Sequence, residues 1–485
     1  MASATTKKGC LDKISCRQVL NIMVIIGFMI NYMLRVNITI AITAMVPSPT
    51  TNVTNNTDNA TMEPTSELFN WDKYQQNMIL GSFFWGYVLT ELPGGHMADA
   101  IGGHKIFGGG TLAASILTLL TPLACYWGFV PVVLIRALLG FFLGATWPAL
   151  PPIAAKWIPP MERSKFVANM MASSLGAAIT MPVCGLLIDK LGWASVFYLT
   201  GGLSLVWSVA WFFVVFDSPA THPRCSAEER MEIETAIAQH TKGKKPKNVP
   251  WKAIFTSLPV WAIVVTHGCS VFGYFTVVNQ LPTYFKDVLK YNIKENGLYS
   301  SLPYLGKYLM AIISSYLADK LRRNGKFTTT FIRKSFTTFA VGFPAGFMVL
   351  QAFFGQISAI SITIFTCSLF FNGAVTAGYL ANGLDIAPNF SGTIFGMANT
   401  LSSMGGYIST AIVAALTNKS STFSEWKWVF WILAGNYALG TLVYLIFGTG
   451  KLQGWNSVER RQSENGVKSE QELEPLKKKN GEIPA

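Results

Sequence analysis

Residues 335–384 read SFTTFAVGFPAGFMVLQAFFGQISAISITIFTCSLFFNGAVTAGYLANGL, a stretch without a single Asp, Glu, Lys or Arg. One helical crossing of a bilayer takes about 20 apolar residues, so this stretch is long enough to cross twice. Residues 106–135 and 191–216 are equally free of charge. The pattern predicts a membrane protein with several transmembrane helices.

The composition of the whole chain agrees with this prediction. Of 485 residues, 51% are hydrophobic and 13% are charged, which leaves too little polar surface to coat a soluble globule. We therefore predict an all-α membrane protein with twelve membrane spans, numbered 1 to 12 in chain order. Their predicted limits are 19–46, 75–98, 106–127, 131–155, 166–188, 193–216, 256–283, 297–318, 335–354, 358–384, 391–416 and 429–449.

A hydrophilic segment divides the spans into two groups of six. It contains Pro219, Pro223 and the basic run KGKKPK at 242–247. The predicted organisation is an N-terminal tail at 1–18, a six-helix bundle at 19–216 with a first loop at 47–74, a linker at 217–255, a second bundle at 256–450 and a C-terminal tail at 451–485.

The distribution of basic residues predicts the topology. Lys and Arg total 38 against 25 Asp and Glu, and they concentrate in the tails, the linker and the loops on the same side. The positive-inside rule then places both termini and the linker in the cytoplasm, which explains the net charge of +13 without nucleic acid. Four Asn-x-Ser/Thr sequons fall on the opposite side, where glycosylation occurs: Asn52, Asn55, Asn59 and Asn418.

The two groups of spans carry a repeated loop motif. Residues 95–105 read GHMADAIGGHK after span 2, and residues 315–326 read SYLADKLRRNGK after span 8. The pattern resembles the cytoplasmic loop signature of the major facilitator superfamily, whose fold has six plus six helices. We interpret it as a conformational latch rather than an ordinary solvated turn, with Gly95, Asp99, Gly102, Lys105, Asp319 and Arg322 as its residues.

Charged residues inside spans are costly and point to function. Arg35 lies deep in span 1, where its guanidinium either faces a cavity and binds a carboxylate or phosphate, or reaches the outer membrane surface. Arg136 in span 4 is open to the same two interpretations. Glu91 in span 2 is either a site for a coupled proton or sodium ion, or half of a static ion pair with an arginine. For Lys307 in span 8, we favour an interpretation in which the side chain snorkels to the membrane surface over one in which it contacts a substrate.

Aromatic residues with polar tips also lie within the spans. Tyr32, Tyr87, Tyr274 and Tyr304 can line a cavity and donate hydrogen bonds to a ligand. For His267 in span 7, we favour a structural role as a hydrogen-bonded residue of the helix. The seven cysteines suggest neither a disulfide framework nor a metal site. The chain has no Walker loop or nucleophile elbow, so we do not expect an enzyme or a cofactor beyond the co-transported ion.

Several longer motifs resemble the anion:cation symporter family, which includes sialin, the vesicular glutamate transporters and the type I sodium/phosphate cotransporters. They are GSFFWGY at 81–87, ELPGG at 91–95, RALLG at 136–140, WIPPMERS at 157–164, SLPYLG at 301–306 and NGLDIAP at 382–388. The pattern resembles the invertebrate members related to inorganic phosphate cotransporters. The resemblance implies alternating access and a central anion site.

The resemblance also implies roles for individual residues. Arg35 and Arg136 match the two arginines that the family uses for anion binding or its control, and Tyr32, Tyr87 and Asn382 match cavity-lining positions. Three departures from the family are Leu143 in place of a proton-coupling glutamate, Ser270 in place of an arginine, and Leu80 in place of a histidine. The departures at Ser270 and Leu80 disfavour glutamate transport, and the one at Leu143 speaks against proton coupling of the sialin type. Glu91 replaces a glutamine of sialin and can supply the missing carboxylate.

We therefore predict a secondary active transporter of inorganic phosphate or a small organic anion, coupled to sodium or protons. The alternatives are a lysosomal or vesicular proton-coupled carrier of sialic acid or acidic amino acids, an anion-binding sensor that signals through its basic tail, and a channel. The expected partners are the small anion and the lipid bilayer, with the chain acting as a monomer. Neither tail shows an acidic dileucine signal, which favours the plasma membrane over a lysosomal or vesicular membrane.

Overall fold

The computed structural model describes residues 15–47, 69–159, 166, 169–240, 249–418 and 420–456. Within those residues every regular element is a helix. Eight of the helices are long and apolar enough to cross a membrane. The predicted all-α membrane class is confirmed.

Six spans make up the first half of the structure. They are Cys16–Met45, Lys73–Ile101, Gly103–Trp127, Phe129–Gly144 continued by Leu150–Trp157, Ala172–Leu191, and Ala194–Val214. Span 4 is interrupted near its end because Pro148 lies in the turn between the two helices and Pro151 and Pro152 begin the second one. Two shorter helices, Ala227–His240 and Trp251–Thr256, lie within the predicted linker.

Six further spans make up the second half. They are Leu258–Asp287, Ile293–Arg323, Thr329–Thr337 continued to Phe354, Ser358–Asn372 continued by Tyr379–Ile386, Ser391–Thr417, and Phe423–Phe447. Span 9 contains a π-helical segment at Thr338–Gly342, and span 10 contains a 3₁₀ turn at Gly373–Thr376. The observed limits differ from the predicted ones by a few residues at most ends. Spans 9 and 12 each begin six residues earlier than predicted, and span 5 begins six residues later.

Local sequence signals fix where the helices start and turn. Ser15, Asp72 and Asn292 each cap a span through a reciprocal capping box with a Gln or Glu three residues later. Spans 2 and 3 are joined at Gly102, whose φ of 113° is unfavourable for a residue with a Cβ atom. Spans 3 and 4 are joined at Gly128, with a φ of 121°. These tight turns hold consecutive spans antiparallel.

The two halves have the same internal packing. In the first half span 2 packs against span 4, span 1 against spans 5 and 6, and span 3 against spans 4 and 6. Adding six to each number gives the packing of the second half: span 8 against span 10, span 7 against spans 11 and 12, and span 9 against spans 10 and 12. The repeat suggested by the loop motifs therefore extends to the whole bundle.

The halves meet along two symmetric seams, span 2 against span 11 and span 5 against span 8. We call the face that carries residues 16, 215–240, 249–257 and 447 the tail face, and the opposite one the far face. At the far face Lys73 of span 2 forms an ion pair with Asp287 of span 7. Two more hydrogen bonds join the halves there: Lys286 Nζ to Val46 O, 2.6 Å, and Gln280 Nε2 to Asn77 Oδ1, 2.6 Å. The far face is therefore closed.

Candidate functional site

A cavity of about 770 Å³, including space open to solvent, lies between the two halves. Met171, Leu380 and Phe395 line it at the tail-face ends of spans 5, 10 and 11, so the cavity extends toward that face. Both halves contribute polar side chains to its wall. These are Tyr32, Arg35, Tyr87, Glu91, Ser173 and Ser174 from the first half, and His267, Ser270, Tyr274, Lys307, Asn372, Tyr379, Asn399, Ser402 and Ser403 from the second.

Arg35 lies in the wall of this cavity and is only 4% exposed. Its Cζ is 4.1 Å from the ring centroid of Phe275 in span 7 and 4.9 Å from that of Phe83 in span 2. Within the described residues, its Nε and Nη2 atoms have no hydrogen-bond partner. A reach toward the outer membrane surface is therefore excluded in this conformation. The guanidinium is a buried cation with free donors.

Aromatic rings hold the guanidinium in place without neutralising it. The rings of Tyr32 and Tyr87 lie 5.4 and 5.6 Å from Arg35 Cζ. Cation–π contacts of this kind stabilise a buried guanidinium while leaving its N–H groups available. Arg136 Nη2 donates to the backbone carbonyl of Arg35 at 3.4 Å, which ties span 4 to span 1 behind the site.

Lys307 of span 8 also lines the cavity and is 9% exposed. Its Nζ lies 3.3 Å from the ring centroid of Tyr274 in span 7. The sequence-based preference for snorkelling is wrong, because the ammonium points into the space between the halves instead of reaching the membrane surface. The site thus contains two cations, one from each half.

Glu91 is the carboxylate of the cavity. It is 8% exposed and accepts a hydrogen bond from Ser403 Oγ of span 11 at 2.5 Å. In the described part of the chain no arginine nitrogen forms an ion pair with it, so a static pair with an arginine is not what holds it. The contact joins span 2 of the first half to span 11 of the second. It therefore breaks when the two halves separate.

The second half adds a polar cluster around His267. Its Nε2 lies 2.7 Å from Asn399 Oδ1, and its Nδ1 lies 3.4 Å from the hydroxyl of Tyr379. Asn372 Nδ2 donates to Ser270 Oγ at 3.0 Å in the same wall. His267 and Ser270 stand out in the sequence, whereas Tyr379, Asn372 and Asn399 do not. Because these residues come from spans 7, 10 and 11, only the packing of distant segments brings them together.

Not every predicted substrate residue lines the cavity. Tyr32 and Tyr87 do, whereas Arg136, Tyr304 and Asn382 are buried beside it. Tyr304 is completely buried, and its hydroxyl has no hydrogen-bond partner among the described residues. A role for these three in binding stays a prediction that this conformation does not display.

At the tail face the second half is held together by an acid outside the predicted latch. Arg322 Nη2 lies 3.4 Å from Asp385 Oδ1, and Arg333 Nε donates to Asp385 Oδ2 at 2.6 Å. Asp319 is exposed and forms no ion pair within the described residues. The partner of Arg322 is therefore 63 positions further along the chain, beyond the reach of a local motif.

The corresponding motif of the first half is arranged differently. A Cβ atom at Gly102 would lie 2.4 Å from Asp217 Oδ2, and the same oxygen lies 3.3 Å from His104 Nδ1. Lys105 is exposed and Gly95 is half-buried, while the side chain of Asp99 lies outside the described residues. The latch role of these residues stays a prediction.

The predicted glycosylation sites can be placed only in part. Asn52, Asn55 and Asn59 lie outside the described residues. Asn418 is exposed at the end of span 11, on the far face. It therefore lies opposite both the linker and span 1's start, as the topology requires.

Two cysteines that are distant in sequence meet at the tail face. The sulfur atoms of Cys16 and Cys225 and a carboxylate oxygen of Glu229 lie within 4.8 Å of one another, a grouping that sequence spacing did not predict. The Glu229 carboxylate accepts hydrogen bonds from the backbone N–H groups of Cys16 and Arg17, so it caps span 1. Burial raises the pKa of Cys225, which favours the neutral thiol.

Comparison with known proteins places this geometry in context. The sequence model of the Major Facilitator Superfamily matches residues 24–410. Human sialin is 37% identical over 392 residues, which cover 81% of this chain and 79% of sialin. Human vesicular glutamate transporter 2 is 34% identical over 411 residues, which cover 84% of this chain and 70% of that protein.

Solved structures show the same fold. A bacterial homolog of the human lysosomal transporter Spinster, in an inward-facing and occupied conformation, has a TM-score of 0.63 and 13% identity, covering 89% of this chain and 96% of that one. A D-xylose–proton symporter has a TM-score of 0.60 and 16% identity, covering 89% of this chain and 99% of that one. These similarities show the architecture of two six-helix halves.

Proposed function

Because this chain belongs to the Major Facilitator Superfamily, and within it to the anion:cation symporter family of sialin and the vesicular glutamate transporters, we propose that Arg35 binds the transported anion in the central cavity. The chain is a secondary active transporter of small anions, not an enzyme. The observation that carries the proposal is the buried guanidinium of Arg35, whose free N–H groups face the cavity. An anion offsets the unfavourable burial of that charge and supplies its missing acceptors.

The test is uptake by proteoliposomes of radiolabelled phosphate, sialic acid and glutamate under imposed sodium or proton gradients. Each hydrogen bond to a charged group contributes about 1.5–3 kcal/mol, so Arg35→Gln is expected to lower uptake of the active anion about a hundredfold. Arg323→Gln, at an exposed arginine of the tail face, is the matched control. Unchanged uptake by Arg35→Gln would refute the proposal.

Glu91 is the proposed site of cation coupling, with sodium or a proton as the co-transported ion and no other cofactor. The carboxylate lies in the cavity and is joined to Ser403 of the other half, so its environment changes when the halves part. Glu91→Gln keeps the shape of the side chain and cannot change its charge. We expect this variant to exchange labelled for unlabelled anion across the membrane but to lose gradient-driven accumulation. Equal loss of both activities would instead assign Glu91 to anion binding.

The same uptake panel separates phosphate from organic anions. Sialin, at 37% identity, supports the alternative of a proton-coupled carrier of sialic acid or acidic amino acids. Leu143, which replaces the family's coupling glutamate, is completely buried and apolar, which supports coupling elsewhere in this chain. Proton dependence of sialic acid uptake would favour the alternative.

Two further points belong to the proposal. We propose that the chain acts as a monomer, a proposal that the position of the cavity between the two halves of one chain supports. We propose the plasma membrane as the location. The alternative is an internal membrane, which the name of the vesicular glutamate transporters supports. Surface biotinylation of cells that express the full chain distinguishes the two locations.

A further inference from the structure

The position of Lys307 adds a second requirement to the site. Its ammonium is buried in the cavity wall, and in the described part of the chain no carboxylate forms an ion pair with it. The ammonium lies over the ring of Tyr274, whose face attracts a cation but cannot neutralise it. Lys307 is therefore in the same condition as Arg35: a buried cation without a counter-charge.

The two cations occupy separate positions. Arg35 lies against the ring of Tyr32 in the first half, and Lys307 lies against the ring of Tyr274 in the second. The centroids of these two rings are 6.4 Å apart. A ligand that reaches both cations must therefore extend across the interface between the halves.

The charges of the cavity do not cancel. When Lys307 is protonated, it and Arg35 contribute two positive charges, and Glu91 is the only carboxylate in the cavity wall among the described residues. Ser403 donates to Glu91, and neither cation forms an ion pair with it. With Glu91 ionised the net charge of the three groups is +1, but neither cation pairs with Glu91. A monoanion bound to Arg35 therefore leaves Lys307 without a direct counter-charge, whereas an anion with a negative group at each end contacts both cations. If Glu91 carries a proton during transport, two negative charges balance the site completely.

We infer that the preferred substrate is an extended organic dianion, such as a short dicarboxylate, bound with one carboxylate at Arg35 and the other at Lys307. This inference rests on the proposed function and narrows its substrate class. The second contact also gives the substrate a physical role in closure, since one molecule holds both halves. We expect a compact inorganic phosphate to contact one of the two cations at a time.

The test compares succinate with butyrate, which has the same chain length and a single carboxylate. Purified full-length protein is titrated with each anion while its thermal unfolding is followed, and uptake of labelled succinate is measured in proteoliposomes. We expect wild-type protein to bind succinate about tenfold or more tightly than butyrate. Lys307→Met should remove that preference without weakening butyrate, while Lys307→Arg should retain it. Lys320→Met, an exposed lysine on the same span, is the matched control and should behave as wild type.

The outcomes separate this inference from the proposed function. Equal affinity for succinate and butyrate in wild-type protein, or an undiminished succinate preference in Lys307→Met, overturns the dianion assignment. Arg35-dependent uptake of phosphate or a monoanion in the same experiment would leave anion transport standing. Absence of any Arg35-dependent anion uptake would refute both.

Discussion

Replacing Asp287 by Asn should shift the transporter toward the conformation whose far face is open. The Asp287 side chain is 2% exposed and its partner Lys73 is 17% exposed, and Ser421 Oγ also donates to Asp287 at 2.7 Å. Removing one member of a buried ion pair costs about 3–5 kcal/mol, and the partial exposure of Lys73 reduces this to about 1–3 kcal/mol. In the open conformation both side chains are hydrated, so the substitution has little effect there. At 1.4 kcal/mol per factor of ten, the equilibrium shifts about 5- to 150-fold.

Chemical labelling from the far face measures this shift. Ser402→Cys places a thiol in the cavity wall of a variant whose seven native cysteines are replaced by alanine. A membrane-impermeant thiol reagent on the far-face side reaches this thiol only when that face opens. Asp287→Asn should raise the labelling rate by the stated factor, and Lys73→Gln should raise it similarly.

A double-substitution cycle provides the refutation. If the ion pair acts as a unit, the variant that carries both Lys73→Gln and Asp287→Asn is labelled no faster than either single variant. Additive effects, or a labelling rate unchanged by Asp287→Asn, would show that the pair does not hold the far face closed.

Three further predictions follow from the packing. Gly297→Ala places a Cβ atom 2.7 Å from a carbonyl oxygen of span 5, so transport should fall about tenfold or more, whereas Gly268→Ala meets no atom within 4 Å and should be neutral in the same uptake assay. Asp385→Asn leaves a buried arginine unpaired and should destabilise the protein by about 3–5 kcal/mol, seen as a lower melting temperature, while Asp319→Asn should leave it unchanged. Asn418→Gln should abolish any glycan on the last far-face loop, measured as loss of a gel shift on endoglycosidase treatment.

The architecture was predictable because its signals are local. Apolar stretches mark the spans, and prolines mark the interruption of span 4. Spans 2, 4, 8 and 11 fall outside the eight clearly apolar helices, span 4 because its interruption leaves it short. Spans 2, 8 and 11 form much of the contact between the halves. Glu91 of span 2, Lys307 of span 8 and Ser403 of span 11 line the cavity, so the weaker hydropathy of these spans accompanies an internal position.

The site was predictable only where burial itself was the signal. Arg35 stood out because a charged side chain deep in a membrane span is energetically costly and therefore indicates a function. Lys307 was misjudged although it lies about 21 Å from the start of a helix about 46 Å long, because depth alone does not tell which side of the helix faces the cavity. Asp385 was missed as an ion-pair partner because Arg322 and Arg333 reach it only through the packing of spans 8, 9 and 10.

The ion pairs of the two faces differ in a way that bears on the transport cycle. At the far face Lys73 and Asp287 join opposite halves, so their pair must break when that face opens. At the tail face Arg322, Arg333 and Asp385 all belong to the second half, so their pairing can persist while the halves rotate. The tail-face network therefore strengthens the packing of the second half, whereas the far-face pair stabilises the conformation whose far face is closed. Since Asp319 is exposed here, any contribution it makes as a latch belongs to the conformation in which the tail face is closed.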